Sequence, residues 1–429
     1  MSSTPTARSV ALDVILRVTE EGAYSNLALP RTIERARLSP RDAALASELA
    51  YGTLRRLIPI DVTLAPHLER PLDTAPKRAR ALLRLGAYQL TSTRIPDHAA
   101  VSETVSLAEA RHRGFVNAVL RRVASAGAQV PEGTDDEAVS GRTGLIAWAV
   151  HELRRLRPDD VEDAAAALAE RAPLTLRVNR RRTTLEDLER ELVGRGVGVA
   201  RGAVHPGSLL VEEGAPSDLP GFAEGWFAVQ DQASAYVVTT LDPRAGDRVV
   251  DVCAGPGGKA GHIAELVGSQ GTLVAADVSP ARAGLVRRSL GRLGLPGLVL
   301  AQDGRRPGLR GPFDRVLVDA PCSGIGSARR RPELLWRSER RQIQELARLQ
   351  VGIASAAAGL VRPGGRLVYA VCTFPRAETD DVSEAILRRC PDLVPEVTPG
   401  PDGPGERHRL WPDRHGTDGM FVAAFRRKD

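Results

Sequence analysis

Five short apolar runs, each ending at or near an acidic, glycine or cysteine residue, alternate with helix-like stretches from about residue 236 onward. The runs cover 247–255, 271–279, 298–303, 313–321 and 365–374, and the helix-like stretches cover about 258–267, 281–293, 333–361 and 376–389. Strand–helix alternation is typical of a doubly wound, mostly parallel sheet, in which ligands bind beyond the carboxyl ends of the strands. Residues at those strand ends are therefore expected to converge on one edge of the sheet.

A glycine-rich turn follows the first of these runs in "DVCAGPGGKA", where Gly255, Gly257 and Gly258 let the backbone approach a ligand closely. Asp277 ends the next run, 22 residues after Gly255, a spacing at which an acid meets the hydroxyls of a ribose in such folds. Asp303 ends the run after that. The pattern predicts a nucleoside cofactor. NAD and S-adenosylmethionine both fit it, whereas ATP is disfavoured because no G-x-x-x-x-G-K-[ST] motif is present.

Two of the four cysteines, Cys322 in "DAPCSGIG" and Cys372 in "YAVCTFPR", follow strand-like runs and are 50 residues apart. Parallel strands would bring both thiols to one edge, although two small buried packing residues are the alternative. Cys253 lies in the glycine turn and Cys390 lies outside any motif. Because no C-x-x-C spacing occurs, the sequence predicts neither a metal site nor a disulfide framework, and a reduced, cytoplasmic setting is expected.

The first third of the chain is basic and has a helical pattern. Residues 1–128 contain 18 basic and 12 acidic residues, whereas the rest of the chain carries 41 of each. In "ARSVALDVILRVTEEG", Val10, Val14, Ile15 and Val18 fall on one helical face. A basic helical module favours a polyanionic partner such as RNA, with a solvated arginine-rich surface as the alternative.

The middle of the chain connects these two regions. Residues 126–142 are poor in large apolar side chains and are interpreted as a linker, followed by helices in 143–172. An extended run at 173–179, a helical stretch at 184–193 and an extended run at 208–213 indicate a small α/β unit. No apolar run reaches about 18 residues, and the N-terminus lacks the apolar region of a signal peptide, so no membrane association is expected.

Several motifs resemble known families. "DVCAGPGGKA", "AADVSPAR", "DAPCSGIG" and "YAVCTFPRAETD" resemble those of the RNA cytosine-C5 methyltransferases of the Nol1/Nop2/Sun family, over roughly 170–429. "LRLGAYQL", "IPDHAAVSETVSLAE" and "RGFVNAVLRR" resemble NusB, an all-helical RNA-binding antitermination factor. The combination resembles the NusB-fused bacterial 16S rRNA methyltransferases. It implies an all-α NusB-like domain (1–128), a helical and small α/β connecting region (143–235), and an α/β doubly wound, Rossmann-like methyltransferase domain (236–429).

The resemblance implies methylation of carbon 5 of a cytosine in RNA, with 16S rRNA as the expected substrate and S-adenosylmethionine as the methyl donor. Cys372 would be the nucleophile and Cys322 the thiol that assists release, an order that the residues alone leave open. Asp319 would orient the base, and Lys259, one of three lysines beside 56 arginines, would complete the catalytic group. The cofactor would contact the glycine turn and the following strand ends: Cys253, Ala254, Gly255, Pro256, Gly257, Gly258, Lys259, Asp277, Arg282, Asp303 and Asp319.

Two other functions stay open at this point: a tRNA methyltransferase of the same chemistry, and a non-catalytic RNA-binding or ribosome assembly factor with a methyltransferase fold. The NusB-like motifs count against the first and the pair of cysteines counts against the second. The sequence departs from the family pattern at Val371 and Thr379, where local hydrogen bonds are expected to differ. The expected partner is RNA, and the chain is expected to act as a monomer without a metal.

Overall fold

The computed structural model describes residues 5–212 and 214–429. Contacts divide the chain into two units. The first, here called the helical unit, comprises the chain up to Arg171 together with Ala328–Ser338. The second, the sheet unit, comprises Ala172–Ser327 and Glu339–Asp429. A short piece of chain from far along the sequence therefore belongs to the helical unit.

The described part of the chain begins with helices, and strands and helices follow in turn from Leu174 onward. The helices are α1 (Ala7–Glu21), α2 (Ser25–Ala36), α3 (Pro40–Arg55), α4 (Leu57–Leu64), α5 (Lys77–Ser92), α6 (Asp97–Ser106), α7 (Ala110–Ala126), α8 (Asp136–Thr143), α9 (Ala147–Leu156), α10 (Val161–Ala169), α11 (Leu185–Gly194), α12 (Gln232–Leu241), α13 (Gly258–Val267), α14 (Pro280–Leu293), α15 (Leu334–Arg337), α16 (Arg340–Ala358), α17 (Asp380–Arg389) and α18 (Pro412–His415). The strands are β1 (Leu174–Val178), β2 (Val199–Arg201), β3 (Ser208–Val211), β4 (Phe227–Val229), β5 (Arg248–Asp251), β6 (Thr272–Asp277), β7 (Leu298–Ala301), β8 (Phe313–Asp319), β9 (Val361–Val371), β10 (Leu393–Pro395), β11 (Arg407–Leu410) and β12 (Met420–Arg427). The extended run predicted at 208–213 ends at Val211, and residue 213 lies outside the described residues.

Helix α1 illustrates how local sequence sets the helical unit. The Thr6 hydroxyl accepts a hydrogen bond from Ser9 N, and the Ser9 hydroxyl accepts one from Thr6 N, which together form a capping box. The helix ends at Glu21 and is capped by Gly22, whose φ of 75° is the left-handed conformation that glycine adopts without strain. The predicted apolar face is confirmed, because its members are all buried in the core of the unit: Val10, Val14, Ile15 and Val18.

The interpretation of 126–142 as a linker is wrong for its second half, because α8 occupies Asp136–Thr143. Asp135 caps this helix, with Oδ1 accepting from Ala138 N at 2.8 Å. The residues that α8 buries are mostly small, including Ala138, Ser140 and Gly141. A composition poor in large apolar side chains therefore concealed a packed helix.

The prediction of one helix over 333–361 is also wrong. The chain forms α15 and α16, separated by an extended Ser338, and α15 belongs to the helical unit. There the carboxylate of Glu333, which is fully buried, accepts hydrogen bonds from Ser25 N at 3.3 Å and from Ser25 Oγ at 2.6 Å. Trp336 Nε1 donates to Leu54 O at 2.9 Å. These contacts to distant helices explain the break, and no local pattern announces them.

The sheet unit contains a small antiparallel sheet in the order β2-β3-β1-β4 and a larger sheet in the order β10-β12-β9-β8-β5-β6-β7, with β11 paired to β12. The five predicted strands β5 to β9 run parallel, and β12 joins β9 in the antiparallel direction. Side chains of β8 alternate between two cores, with Leu317 on one face and Val316 and Val318 on the other. Both faces are therefore covered, as in a doubly wound sheet.

A buried ion pair fixes the small sheet to α13 within the sheet unit. Arg177 of β1 is 1% exposed and pairs with Glu265 of α13, while its Nε donates to Gln230 Oε1 at 2.7 Å. Burial lowers the pKa of Arg177, and the Glu265 charge opposes that shift. Removing one partner of such a pair costs about 3–5 kcal/mol, so this contact holds the start of the sheet unit firmly.

Residues 5–212 and 214–429 contain neither a membrane-spanning helix nor a cluster of metal-ligating side chains. No helix in these ranges has the length and apolar character needed to cross a membrane. No group of three or more histidine, cysteine, aspartate or glutamate side chains in them could hold a metal ion.

Candidate active site

The two strand-end cysteines lie side by side, as the sequence predicts. Strands β8 and β9 are parallel neighbours with Asp319 opposite Ala370, so the loops that follow them leave the sheet at one edge. The Sγ atoms of Cys322 and Cys372 are 3.5 Å apart. Both residues are partly buried, and all four cysteines of the chain are free thiols.

Gly326 allows the two cysteine loops to approach this closely. Its backbone N–H donates to Cys372 O at 3.0 Å, and its carbonyl accepts from Gly419 N at 2.8 Å. A Cβ atom at position 326 would lie 2.2 Å from Gly419 O and 3.0 Å from Cys372 O. No side chain fits there, so the glycine that closes "DAPCSGIG" is a requirement of packing.

Lys259 and Asp319 form an ion pair at the same sheet edge. Lys259, near the start of α13, places Nζ 2.7 Å from Asp319 Oδ2 and 3.4 Å from Ser234 Oγ. Burial disfavours the charged amine, but the charge of Asp319 and its hydrogen bond outweigh burial and raise the pKa of Lys259. Lys259 is therefore an ammonium group at neutral pH.

The two thiols interact with each other and with Lys259. The hydrogen bond to Cys372, followed by burial, raises the pKa of Cys322 well above its usual value, so Cys322 stays protonated at neutral pH. A Cys372 thiolate contributes to the raised pKa of Lys259. That attraction is mutual, and the nearby ammonium group favours the thiolate form of Cys372.

The glycine turn is tied to Asp277 at the end of β6. Asp277 Oδ2 accepts from Gly255 N at 3.1 Å, and Oδ1 accepts from Ser279 N at 2.9 Å. Arg282 completes the arrangement, with Nη2 donating to Gly255 O at 2.6 Å and Nε 3.3 Å from Asp277 Oδ2. A Cβ on Gly255 would lie 2.6 Å from Asp277 Oδ2, so only glycine permits this contact.

The other predicted residues of the turn lie in the segment that connects β5 to α13. Ala254 N donates to Ala276 O at 2.8 Å, which keeps the turn against β6. Gly257 has a φ of 113°, a left-handed conformation that favours glycine, and Gly258 begins α13. Pro256 is exposed. Burial raises the pKa of the Cys253 thiol, so this cysteine is an unreactive lining residue rather than a nucleophile.

Asp303 follows β7 and is partly exposed. Its two oxygens accept from the guanidinium of Arg305, at 2.6 Å from Nη2 to Oδ2 and 3.0 Å from Nε to Oδ1. These hydrogen bonds lower the pKa of Asp303 to about 2. A ligand that reaches Asp303 must share its oxygens with Arg305.

Asp251, the acid at the end of β5, was not among the predicted site residues, although its place at a strand end was a signal. Asp251 is buried, with Oδ1 accepting from Cys253 N at 3.3 Å and Oδ2 without a hydrogen-bond partner among the described residues. Burial, and then the charge of Asp319, raise the pKa of Asp251 to about 7, and Lys259 opposes them. An orphaned buried carboxylate oxygen beside a glycine turn suits a cationic group of a ligand.

Polar residues that directly follow the cysteines were also missed. Ser323 Oγ and Thr373 Oγ1 are 2.6 Å apart, and Ser323 also contacts the buried Glu378. At the two departures from the family pattern, Val371 packs in the core, and the Thr379 hydroxyl donates to Pro375 O at 3.0 Å. Sequence spacing could not indicate these contacts, because they depend on how two loops meet.

Three family models match the chain in succession. The NusB family matches residues 5–125, the ferredoxin-like domain of RsmF/B-like methyltransferases matches 147–218, and 16S rRNA methyltransferase RsmB/F matches 238–426. Ribosomal RNA small subunit methyltransferase B of Salmonella newport is 35% identical, covering 98% of this chain and 98% of its own. The protein of the same name from Klebsiella pneumoniae is 36% identical, covering 97% of each chain. The chain belongs to the RsmB/F family of 16S rRNA methyltransferases.

A solved structure has a similar fold over nearly the whole chain. The crystal structure of PH0851 matches with a TM-score of 0.84 at 25% identity, covering 98% of this chain and 99% of that one. The predicted fold class is confirmed, with a NusB-like helical region, a ferredoxin-like α/β region and a Rossmann-like methyltransferase region. RsmB/F proteins methylate rRNA. Membership in this family confirms the predicted cofactor, S-adenosylmethionine.

Proposed function

We propose that this RsmB/F-family protein methylates carbon 5 of a cytosine in 16S rRNA through a covalent bond between Cys372 and the base. The observation that carries the proposal is the pair of thiols 3.5 Å apart at the sheet edge that also holds the Lys259–Asp319 ion pair. Carbon 5 of cytosine is a poor nucleophile, and addition of a thiolate to carbon 6 is the step that activates it.

The chemistry proceeds in an order that gives each thiol one role. The Cys372 thiolate forms a bond to carbon 6, which makes carbon 5 nucleophilic. When bound, S-adenosylmethionine supplies an electrophilic methyl group to carbon 5. A water molecule then takes the proton of carbon 5, the electrons of that carbon–hydrogen bond re-form the double bond between carbons 5 and 6, and the bond from carbon 6 to sulfur breaks to return the Cys372 thiolate. Cys322, protonated beside the departing sulfur, donates a hydrogen bond to it and assists release.

Asp319 and Lys259 orient the base in this proposal. Lys259 fixes the Asp319 carboxylate through Oδ2, at 2.7 Å. Oδ1 is the oxygen that would accept a hydrogen bond from the exocyclic amine of cytosine. The ammonium group of Lys259 also favours the Cys372 thiolate, so one cation serves both the base-binding acid and the nucleophile.

The proposed cofactor contacts lie in the turn from Cys253 to Lys259 and at Asp277, Arg282, Asp303 and Asp319. S-Adenosylmethionine carries a sulfonium and an ammonium charge, and an edge lined by carboxylates suits such a cation. The orphaned oxygen of Asp251 adds an acceptor for the ammonium group. The proposal includes three domains, at residues 1–128, 143–235 and 236–429. It also includes a monomeric state for the protein.

Single substitutions of the cysteines test the mechanism. Cys372→Ala should abolish methyl transfer to 16S rRNA while S-adenosylmethionine binding stays intact. Cys322→Ala should still form the covalent bond but release it slowly, and a protein–RNA adduct should then persist on a denaturing gel. The double variant should form no adduct. Cys390→Ala, a cysteine outside every motif, is the matched control and should behave as the unsubstituted protein.

Other outcomes would point elsewhere. An adduct with Cys372→Ala and none with Cys322→Ala would reverse the two roles. Full activity in both variants would make the cysteines packing residues and remove the covalent mechanism. Bisulfite sequencing of 16S rRNA and tRNA from cells with and without the gene distinguishes an rRNA substrate from a tRNA substrate.

A further inference from the structure

Glu378 is a buried carboxylate that the proposed chemistry does not use. It lies in the 3₁₀ turn Arg376–Glu378, which follows the Cys372 strand end, and it is fully buried. Its Oε1 accepts from Ser323 N at 2.9 Å and from Gln350 Nε2 at 2.9 Å, and its Oε2 accepts from Ser323 Oγ at 2.6 Å. A carboxylate from the Cys372 side of the site thus binds the residue that follows Cys322.

Gln350 extends this hydrogen-bond network to Pro321, the residue that precedes Cys322. Its Nε2 also donates to Pro321 O at 2.9 Å, and its Oε1 accepts from the hydroxyl of Tyr369, which lies on β9. The Cys322 loop is therefore held on both sides of the thiol, at Pro321 and at Ser323. Both anchors lead back to Glu378 and to β9, which ends at Val371 directly before Cys372.

Burying a carboxylate is costly, and replacing buried charged groups by apolar side chains is often neutral or stabilising. The hydrogen bonds of Glu378 go to the loop that carries Cys322, and burial raises its pKa against the opposing effect of the Ser323 bonds. Stability alone gives little reason for this arrangement. A need to hold one loop against another accounts for both the charge and its partners.

We propose that Glu378 is a positioning residue that holds the Cys322 thiol beside Cys372. In that position the Cys322 thiol can donate a hydrogen bond to the Cys372 sulfur as it leaves carbon 6. The inference rests on the proposed function, because it assigns Glu378 to the release step of that mechanism. Glu378 acts through Ser323 and Gln350 and does not contact the reacting atoms. A displacement of 1 Å in such a group can cost roughly 100-fold in rate.

Glu378→Ala, in the full-length protein, tests the inference with three readouts. Turnover on 16S rRNA should fall about 100-fold, S-adenosylmethionine affinity should stay within about twofold, and the protein–RNA adduct should persist on a denaturing gel as it does for Cys322→Ala. Glu378→Gln should restore most of the turnover, since its amide oxygen can still accept from Ser323 N and Gln350, and its amide nitrogen can donate to Ser323 Oγ. A merely structural residue would not trap the adduct.

The matched control is Glu384→Ala, a partly exposed glutamate on α17 that pairs with Arg407. If Glu378→Ala turns over as Glu384→Ala does, the inference is wrong. Should Glu378→Ala fail to fold, Ser323→Ala removes the hydroxyl contacts to Glu378 Oε2 and Thr373 Oγ1 and keeps the backbone bond to Glu378. Adduct persistence in Ser323→Ala supports the inference, and behaviour like that of the unsubstituted protein overturns it.

The cysteine variants, measured in the same series, separate this inference from the mechanism beneath it. Activity retained in Cys372→Ala would defeat the covalent mechanism and the role of Glu378 together. Cysteine variants that behave as proposed, beside a Glu378→Ala protein that matches its control, would defeat the role of Glu378 alone.

Discussion

Replacing Lys259 by methionine tests whether one cation supports both the base-binding acid and the nucleophile. Methionine keeps much of the length and apolar stem of lysine and removes the ammonium group. Asp319 would then lose the donor at 2.7 Å from its Oδ2, and the Cys372 thiolate would lose its nearby positive charge. We expect turnover on 16S rRNA to fall by roughly 100-fold or more, with a smaller effect on folding.

The expected effect on stability follows from the burial of the pair. The side chain of Lys259 is 10% exposed and that of Asp319 is 27% exposed. Removing one partner of a fully buried pair costs about 3–5 kcal/mol, because the other charge is left uncompensated. Partial exposure of Asp319 lets water compensate for some of that loss, so we expect a loss of about 2–3 kcal/mol in the free energy of unfolding.

A double-mutant cycle with Asp319→Asn separates the two effects. The double variant has no unpaired charge, so it should recover part of the lost stability in denaturant unfolding while turnover stays low. Arg190→Met, which breaks the exposed pair with Asp187, is the control and should change stability by less than about 1 kcal/mol. A Lys259→Met protein that turns over like the unsubstituted protein would refute the reasoning.

Three further predictions concern the cofactor site and the helical unit. Asp277→Ala should weaken S-adenosylmethionine binding in calorimetry by about 1–3 kcal/mol, because Gly255 N and Ser279 N also lose their acceptor. S-Adenosylmethionine should bind more tightly as the pH rises toward and through about 7. Burial holds the pKa of Asp251 near that value in the free protein, and a bound cation favours the ionised form and releases a proton. Glu333→Ala should lower the free energy of unfolding of the helical unit by about 1–3 kcal/mol, since Ser25 loses both of its hydrogen bonds.

Each of these predictions has a control. An unchanged dissociation constant for Asp277→Ala would remove Asp277 from the cofactor site. The affinity of Asp251→Asn should not vary over the same pH range, and a dependence that survives in it would assign the proton to another group. Glu137→Ala, at an exposed position of α8, should change the unfolding free energy less than Glu333→Ala does.

The convergence of strand ends could be predicted because it depends only on strand direction. Alternating strands and helices specify parallel strands, and parallel strands place Lys259, Asp319, Cys322 and Cys372 at one edge whatever the details of packing. The helix α13 was predicted with its observed bounds for a similar reason, since the glycine turn and the apolar pattern are both local. Local sequence patterns were therefore sufficient to predict the parallel sheet and the approach of the two cysteines.

Contacts between loops could not be predicted in this way. The bonds from Glu378 to Ser323 span 55 residues, and the orphaned oxygen of Asp251 is a property of the buried environment rather than of any motif. Asp303 was predicted to contact the cofactor, but its hydrogen bonds with Arg305 were not predicted. Arg305 donates to both carboxylate oxygens of Asp303. Each of these features depends on side-chain geometry. Sequences with the same local pattern could form these contacts or not form them.

The piece Ala328–Ser338 shows the same limit at the level of domains. The chain that carries Cys322 and Gly326 continues directly into this piece, whose Glu333 and Trp336 are anchored by Ser25 and Leu54 of the helical unit. A helix extended through 333–361 would satisfy local propensity, but it would give up these buried bonds, and tertiary contacts override propensity of that size. The segment that follows Cys322 therefore continues into a piece of chain whose position is set by buried hydrogen bonds within the helical unit.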